Sequence, residues 1–332
     1  MENIRSYEEV DVGKYIVRRL LQMIPVVIGS TFLIYAMVFA MPGDPTAGKC
    51  GERACSPAYV ADFREKYNLD DPLPIQYGKY MGIWPQDRDG QTEFDGVLTG
   101  ELGENQYGIP VTEDLKQRFT VTGKLAVIAL VFEGIIGIFA GVLAGLRKGG
   151  FMDNLVLVST LFVISVPIFV TGFLAQYFLG LKWQIFPALV GSDPSIYALL
   201  LPGFVLGSTS LAYIARLMRT NISENIKSDY VRTAKAKGLS PRRIVGVHTL
   251  RNSMIPVITF MGYDFGALLG GAIVTEGIFN ILGVGGYIYT GIRNRDGIAV
   301  VGAVTALVIV YLVMNLIVDL LYGALDPRIS HD

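Results

Sequence analysis

The chain has 332 residues, 17% of them charged and 52% hydrophobic, with a net charge of −1. A soluble domain averages about a quarter charged residues, so this composition excludes an ordinary water-soluble globule and points to lipid as the solvent. The neutral balance excludes a nucleic-acid binder, which needs an excess of base. The two histidines, His248 and His331, lie far apart and only two cysteines accompany them, so no zinc cluster is expected.

In chain order, a polar and acidic stretch comes first, followed by an apolar run too long for the core of a signal peptide, so no cleavable leader is expected. Six apolar runs are each long enough to cross roughly 30 Å of hydrocarbon, which needs about 20 helical residues. Residues 20–41 contain no charge. Residues 125–146 contain only Glu133, and residues 155–181 and 196–215 again contain none. Residues 256–281 carry Asp264 and Glu276, and residues 298–321 carry only Asp319. Solid apolar blocks, rather than weak alternation, exclude a barrel. The expected fold is an all-α polytopic membrane protein with six transmembrane helices.

Lysines and arginines near the helix ends set the orientation. With the N-terminus inside, the inner segments hold sixteen of these residues and the short outer loops three, Lys182, Arg293 and Arg295. Both termini are therefore expected in the cytoplasm. The organisation expected is a cytoplasmic segment 1–15, a first helix 16–41, an external cap 42–122, and a transmembrane core 123–332 that includes a basic cytoplasmic loop 217–252. The turn-rich cap has room for short helices, residues 57–67 being one candidate. Gly137, Gly141 and Gly145 lie four apart in the second span, and Gly262, Gly266 and Gly270 do the same in the fifth. Such stripes let helix backbones approach closely.

Residues 43–50 nearly spell a phosphate-binding loop, but Cys50 replaces the Ser or Thr that would hold magnesium, no strand precedes it, and topology puts it outside. No nucleotide site is expected in the chain, and no hydrolase motif is visible. Cys50 and Cys55 share the external face; they are either a disulfide closing 51–54, which the oxidising compartment favours, or two reduced thiols. Ionisable groups inside a membrane are functional candidates. Glu133 and Asp264 either line a wet pathway or serve as hydrogen-bonded packing groups, Asp319 is a structural or interfacial group, and Glu276 is expected to be solvated near the outer surface.

The most specific segment is 229–241, a short helix stopped by Gly238, then a turn, then a second helix from about Arg242 to Asn252 with Pro241 at its start. Tyr230, Arg232, Thr233, Ala234, Lys235, Ala236, Lys237 and Gly238 make a projecting helix of mixed polarity, with small residues at 234 and 236. Such a helix suits docking in a groove on a soluble partner; alternatively, its bases are only a solvated, positive-inside face.

Residues 233–238 followed by 242–252 resemble the "EAA" coupling loop of ABC-importer permeases, with Thr233 where the motif has Glu and Ala234 and Gly238 in place. The whole chain resembles the first permease of the dipeptide/oligopeptide/nickel importer family. The matching stretches are Arg19-Leu20-Leu21 with Ile24-Pro25, Met41-Pro42-Gly43-Asp44-Pro45, and Gly100-Glu101-Leu102-Gly103 with Pro110-Val111. Further on come residues 229–239, Arg251-Asn252 with Ile255-Pro256-Val257, Thr275-Glu276-Gly277-Ile278-Phe279 and Leu325-Asp326-Pro327-Arg328-Ile329. Residues 84–94, the cysteine pair and Glu133 depart from that pattern.

The resemblance implies a multi-pass subunit of a prokaryotic cytoplasmic membrane. It implies partnership with a second related permease, two ATPase subunits that hold ATP and Mg, and an external binding protein. The implied solute is a dipeptide or oligopeptide, with nickel chelates, glutathione, opines and oligosaccharides as the alternatives in the same family. A secondary transporter driven through Glu133 or Asp264 is the rival class, although the internal repeats common in such folds are not visible.

Overall fold

The computed structural model describes residues 5–40, 46, 49, 50, 55–88, 91–191 and 194–325. Helix α1 (Arg5–Phe39) is followed by α2 (Pro57–Lys66) and α3 (Leu73–Met81), then by a hairpin of β1 (Gln86–Arg88) and β2 (Gln91–Glu93). Next come α4 (Val111–Leu146), α5 (Phe151–Ser165), α6 (Ile168–Ala175) with a π-helical continuation (Gln176–Lys182), and α7 (Ile196–Asn225). Short α8 (Asp229–Ala236) precedes α9 (Pro241–Arg243), which passes through a π-helical stretch (Ile244–Thr249) into α10 (Leu250–Phe279). The described residues end with α11 (Val284–Arg293) and α12 (Gly297–Leu325). The protein is an all-α polytopic membrane protein, to which the hairpin adds a small antiparallel pair in register Gln86↔Glu93, Asp87↔Thr92 and Arg88↔Gln91.

Among the described residues, five helices are long and apolar enough to cross a membrane, and the α5–α6 pair passes the same test only as one unit bent by 98°. That break corrects the reading of 155–181 as one straight run. Pro167 has no N–H to continue a helix and pushes Val166 out of the helical region, to φ −93° and ψ 123°. The 15 residues of α5 reach about 22 Å, short of the hydrocarbon thickness.

The chain forms two compact units. The first draws on the chain up to Thr120, on Leu282–Leu316 and on the chain from Gly323. In it Tyr35 packs with Tyr77, Met81 and Val301, and the Tyr77 hydroxyl lies 2.7 Å from Thr31 Oγ1 and donates to the Ile28 carbonyl at 3.1 Å. Helix α3 therefore lies against the apolar second half of α1. Val38 meets Gly297 while Tyr35 meets Val301, so α1 and α12 run antiparallel. At the start of α12, Asp296 accepts from Lys49 Nζ at 3.1 Å and from the Gln106 backbone N–H at 2.5 Å. Lys49 and Asp296 side chains are 5% and 4% exposed, so this is a buried ion pair beside the Cys50–Cys55 disulfide.

The second unit comprises Val121–Ile281 and Ile317–Tyr322. Its frame is the contact of α4 with α7. A Cβ at Gly137 would sit 2.8 Å from Ile214 Cγ2, one at Gly141 2.5 Å from the Ala215 carbonyl, and one at Gly145 2.7 Å from Ile222 Cβ. Two glycines of α7 return the fit: a Cβ at Gly203 would sit 2.5 Å from Ile128 Cγ2 and one at Gly207 2.8 Å from the Ala129 carbonyl. Residue numbers rise together along both helices, so α4 and α7 run parallel. The intervening α5–α6 pair must then cross the membrane once, since a re-entrant loop would leave α7 antiparallel to α4. Helix α10 opposes both, with Asn225 Nδ2 3.0 Å from Ser253 Oγ at one end and Thr122 bonded to Glu276 at the other. The fifth-span stripe is used only in part: Gly262 meets Val318, whereas nothing approaches Gly270 within 4 Å.

Gly141→Leu is expected to destabilise the protein by about 1–3 kcal/mol or more, because the backbones cannot separate without undoing the interface. Gly123→Ala, at a helical position with nothing within 4 Å, should be neutral or stabilise by up to about 1 kcal/mol. Thermal unfolding of the purified variants checks both, and equal midpoints would refute the contact.

Candidate functional site

Residues 226–240 form a hairpin between the ends of α7 and α10. Helix α7 runs on to Asn225 and α9 is continuous with α10, so the loop expected over 217–252 contracts to this hairpin. No break sets a separate helix before the fifth span, since Pro256 lies inside α10. Ser228 Oγ donates to the Asn225 carbonyl at 2.6 Å, and Tyr230 Oη lies 2.9 Å from Asn225 Oδ1, fixing how α8 leaves α7. At the far end Gly238 takes φ +74°, a left-handed conformation cheap only for glycine. The Leu239 N–H reaches the Ala234 carbonyl at 3.2 Å and the Gly238 N–H the Lys235 carbonyl at 3.0 Å. This pair of bonds is a Schellman cap, and Leu239 makes the apolar contact that accompanies it.

The two faces of α8 have different fates. Val231 and Ala234 turn inward onto Ile244 and Leu239. Ala234, which the sequence suggested as a point of close approach for a partner, instead closes the hairpin's own core at 6% exposure. Tyr230, Arg232, Thr233, Lys235, Ala236, Lys237 and Gly238 remain exposed. Tyr230, Thr233 and Lys237 follow one another at helical spacing and present a continuous outer face.

Glu133 and Asp264 are brought together, on α4 and α10, with Ser210 of α7 beside Asp264. Glu133 is fully buried, its neighbour the other carboxyl, so three helices meet on one polar cluster inside the unit. Glu276 corrects the expectation of a solvated group: it is 0% exposed and accepts from Thr122 Oγ1 at 2.7 Å. Asp319 accepts a hydrogen bond from the Tyr263 hydroxyl. Cys50 and Cys55 are joined. Of the near-phosphate loop, residues 43–45, 47 and 48 lie outside the described residues, and Lys49 is committed to Asp296.

Asp153 was not legible as a site residue, because it precedes the apolar run. Its carboxylate, 2% exposed, takes a two-pronged bond from Arg219, with Nη2 at 2.9 Å, and also accepts from the Gly149 N–H at 2.7 Å. This clasp ties the start of α5 to α7 within two turns of the hairpin. Removing one partner of such a pair strands the other, whereas removing both does not. Arg219→Ala should therefore lower the unfolding midpoint more than Asp153→Ala/Arg219→Ala, with a coupling of about 1.5–3 kcal/mol. A double-mutant loss equal to the sum of the two single losses would show that the clasp carries no coupling energy.

Residues 137–331 match the family described as "Binding-protein-dependent transport system inner membrane component", and residues 12–126 match its N-terminal companion. The chain is 36% identical to the dipeptide transport system permease protein DppB of Escherichia coli K12, with 96% of this chain and 99% of that protein aligned. It is 33% identical to DppB of Alkalihalophilus pseudofirmus, with 96% and 99% aligned, and 31% identical to the glutathione transport system permease protein GsiC of Pectobacterium atrosepticum over the same shares. With glycine-packed spans, a capped hairpin projecting between two of them and matches along almost its whole length, this chain belongs to the inner-membrane permease components of binding-protein-dependent transport systems.

Proposed function

We propose that this chain is a translocation subunit of an ATP-driven importer of dipeptides or short oligopeptides, moved by ATPase partners through the hairpin 226–240. The observation that carries this reading is α8: a rigid, capped helix with an exposed Tyr230–Thr233–Lys237 face, joined without slack to α7 and α10. A partner that displaces α8 moves both spans. The peptide assignment is supported by the dipeptide permeases among the relatives, and the glutathione permease, whose substrate is itself peptide-like, is in keeping with it.

In this reading the chain has no nucleotide site and no cofactor of its own; two ATPase subunits hold ATP and Mg, and a second related permease supplies the other half of the pathway. An external binding protein delivers the solute. Closure of the ATPases draws the coupling helices together and rocks the transmembrane segments between two arrangements. Arg147, Lys148, Arg216 and Arg219 lie at the hairpin end, and by the positive-inside rule they support a cytoplasmic position for that end and for both termini. The segment 42–110 then lies outside, with the first turns of α4. Glu133 and Asp264 are held as pathway candidates.

Ala236→Trp alters the exposed face of α8 without entering its core, and is expected to leave the protein in the membrane while cutting ATPase association and uptake at least about tenfold, the effect of losing roughly 1.4 kcal/mol. Co-purification of the ATPases with uptake assays measures this, and normal transport with ATPases bound would remove α8 as the coupling element. Ala234→Trp should disrupt the hairpin itself and expose residues 226–240 to protease.

The orientation is checked by thiol labelling in a background with Cys50 and Cys55 replaced by Ser. Tyr107→Cys, at a position 75% exposed, should react with an impermeant reagent added outside, and Lys235→Cys only when the inner face is opened. Reversed labelling would overturn the orientation and the docking assignment together.

A further inference from the structure

Glu133 and Asp264 meet in the second unit where the chain supplies no cation to match them. The surrounding apolar runs 125–146, 196–215 and 256–281 contain no lysine or arginine. Glu133 is 0% exposed, and neither of its carboxyl oxygens has a hydrogen-bond partner among the described residues. Oδ2 of Asp264 is likewise buried and without one. Ionisable groups at this depth are retained where they pair or border a wet route. A buried carboxyl with both oxygens unsatisfied, aimed at a second carboxyl, therefore marks a place for a donor.

The neighbouring residues select the donor. Helices α7 and α10 run antiparallel; Tyr213 lies one turn from Ser210 on α7, and Phe260 one turn from Asp264 on α10. Ser210 lies beside Asp264, and the rings of Tyr213 and Phe260 have their centroids 6.4 Å apart. An aromatic rung thus sits next to the carboxyl rung. Tyr213 is 50% exposed, and Phe260 and Asp264 are half-buried. From Tyr213, the exposed residues Arg216, Thr220 and Glu224 continue along α7 toward the hairpin. A face turned to lipid does not carry such a polar line, so this one borders water or protein. Aromatic faces attract cations, most strongly where water is sparse, and a carboxylate offers charge-assisted acceptors. An ammonium group on an apolar stem satisfies both rungs, whereas an anion is repelled by two carboxyls.

We propose that Asp264, with Tyr213 and Phe260 beside it and Glu133 behind it, receives the ammonium end of the solute within the membrane. This deepens the importer reading above and rests on it. Asp264 makes the contact, the two rings hold the stem and face of the cation, and Glu133 adds negative charge from the buried side.

The test uses the assembled complex in lipid nanodiscs without its binding protein, with alanyl-4-fluorophenylalanine as the probe and fluorine NMR as the readout. The free dipeptide should bind at least about tenfold more tightly than its N-acetyl form, which lacks the charge. Asp264→Asn should weaken the free dipeptide at least about tenfold and bring the two forms together. Tyr213→Leu should weaken it roughly two- to fivefold, the range for a cation–π contact. Glu133→Gln should weaken the free dipeptide and not the N-acetyl form. Unfolding midpoints show that each variant is folded, and the comparison of free with acetylated probe needs no variant. ATP-dependent uptake of the same dipeptide by the wild-type complex with its binding protein is measured in parallel. Absence of uptake would overturn the importer reading and this site with it. Uptake accompanied by equal binding of the two forms, by binding of neither, or by wild-type affinity in folded Asp264→Asn would overturn the site alone.

Discussion

The close contact of α4 with α7 governs the second unit. Five glycines, three on α4 and two on α7, let the two backbones lie where a single added methyl group would strike a carbonyl or a β-carbon. In lipid there is little hydrophobic gain from pressing one apolar helix on another, so association depends on such close fits and on hydrogen bonds between helices. The fit fixes the direction of α7 parallel to α4, which makes the broken α5–α6 pair a single crossing. In the first unit the antiparallel run of α1 and α12 calls for the same parity. A stiff α7 also gives α8 its purchase: the hairpin projects from the end of a helix that cannot slide along its neighbour.

Polar groups then pin the register that the glycines permit. Glu133 of α4, Ser210 of α7 and Asp264 of α10 converge at one level, Thr122 and Glu276 join α4 to α10 at another, and the Asp153–Arg219 clasp joins α5 to α7 at the hairpin end. A carboxyl group in hydrocarbon is costly and is retained only where it meets a partner or a wet pathway. Their spread over several levels gives the helices discrete positions relative to one another, which a two-position transport cycle requires.

Much of this was legible in the sequence. The apolar runs located the spans, residues 57–67 stood out as a short helix, and Gly238 marked the end of α8, because caps and hydrophobic length are local signals. The failures have equally local causes. Hydropathy averaging passes over Pro167, so one broken span looked continuous. The first turns of α4 carry Glu113, Asp114, Lys116 and Arg118, so that helix begins well before its apolar stretch. The burial of Glu276, the inward turn of Ala234 and the pairing of Glu133 with Asp264 depend on which helices become neighbours, and Gly203 and Gly207 gain meaning only when α4 is laid against them.

In the proposed cycle force enters through α8 from ATP hydrolysis, and the buried carboxyl pair is a structural or pathway element, not an ion-driven engine. The most direct test is uptake of a labelled dipeptide by liposomes carrying the complete complex with its binding protein. The account predicts uptake that requires ATP on the ATPase side and persists when proton and sodium gradients are collapsed by ionophores. Uptake driven by an imposed gradient without ATP would contradict it.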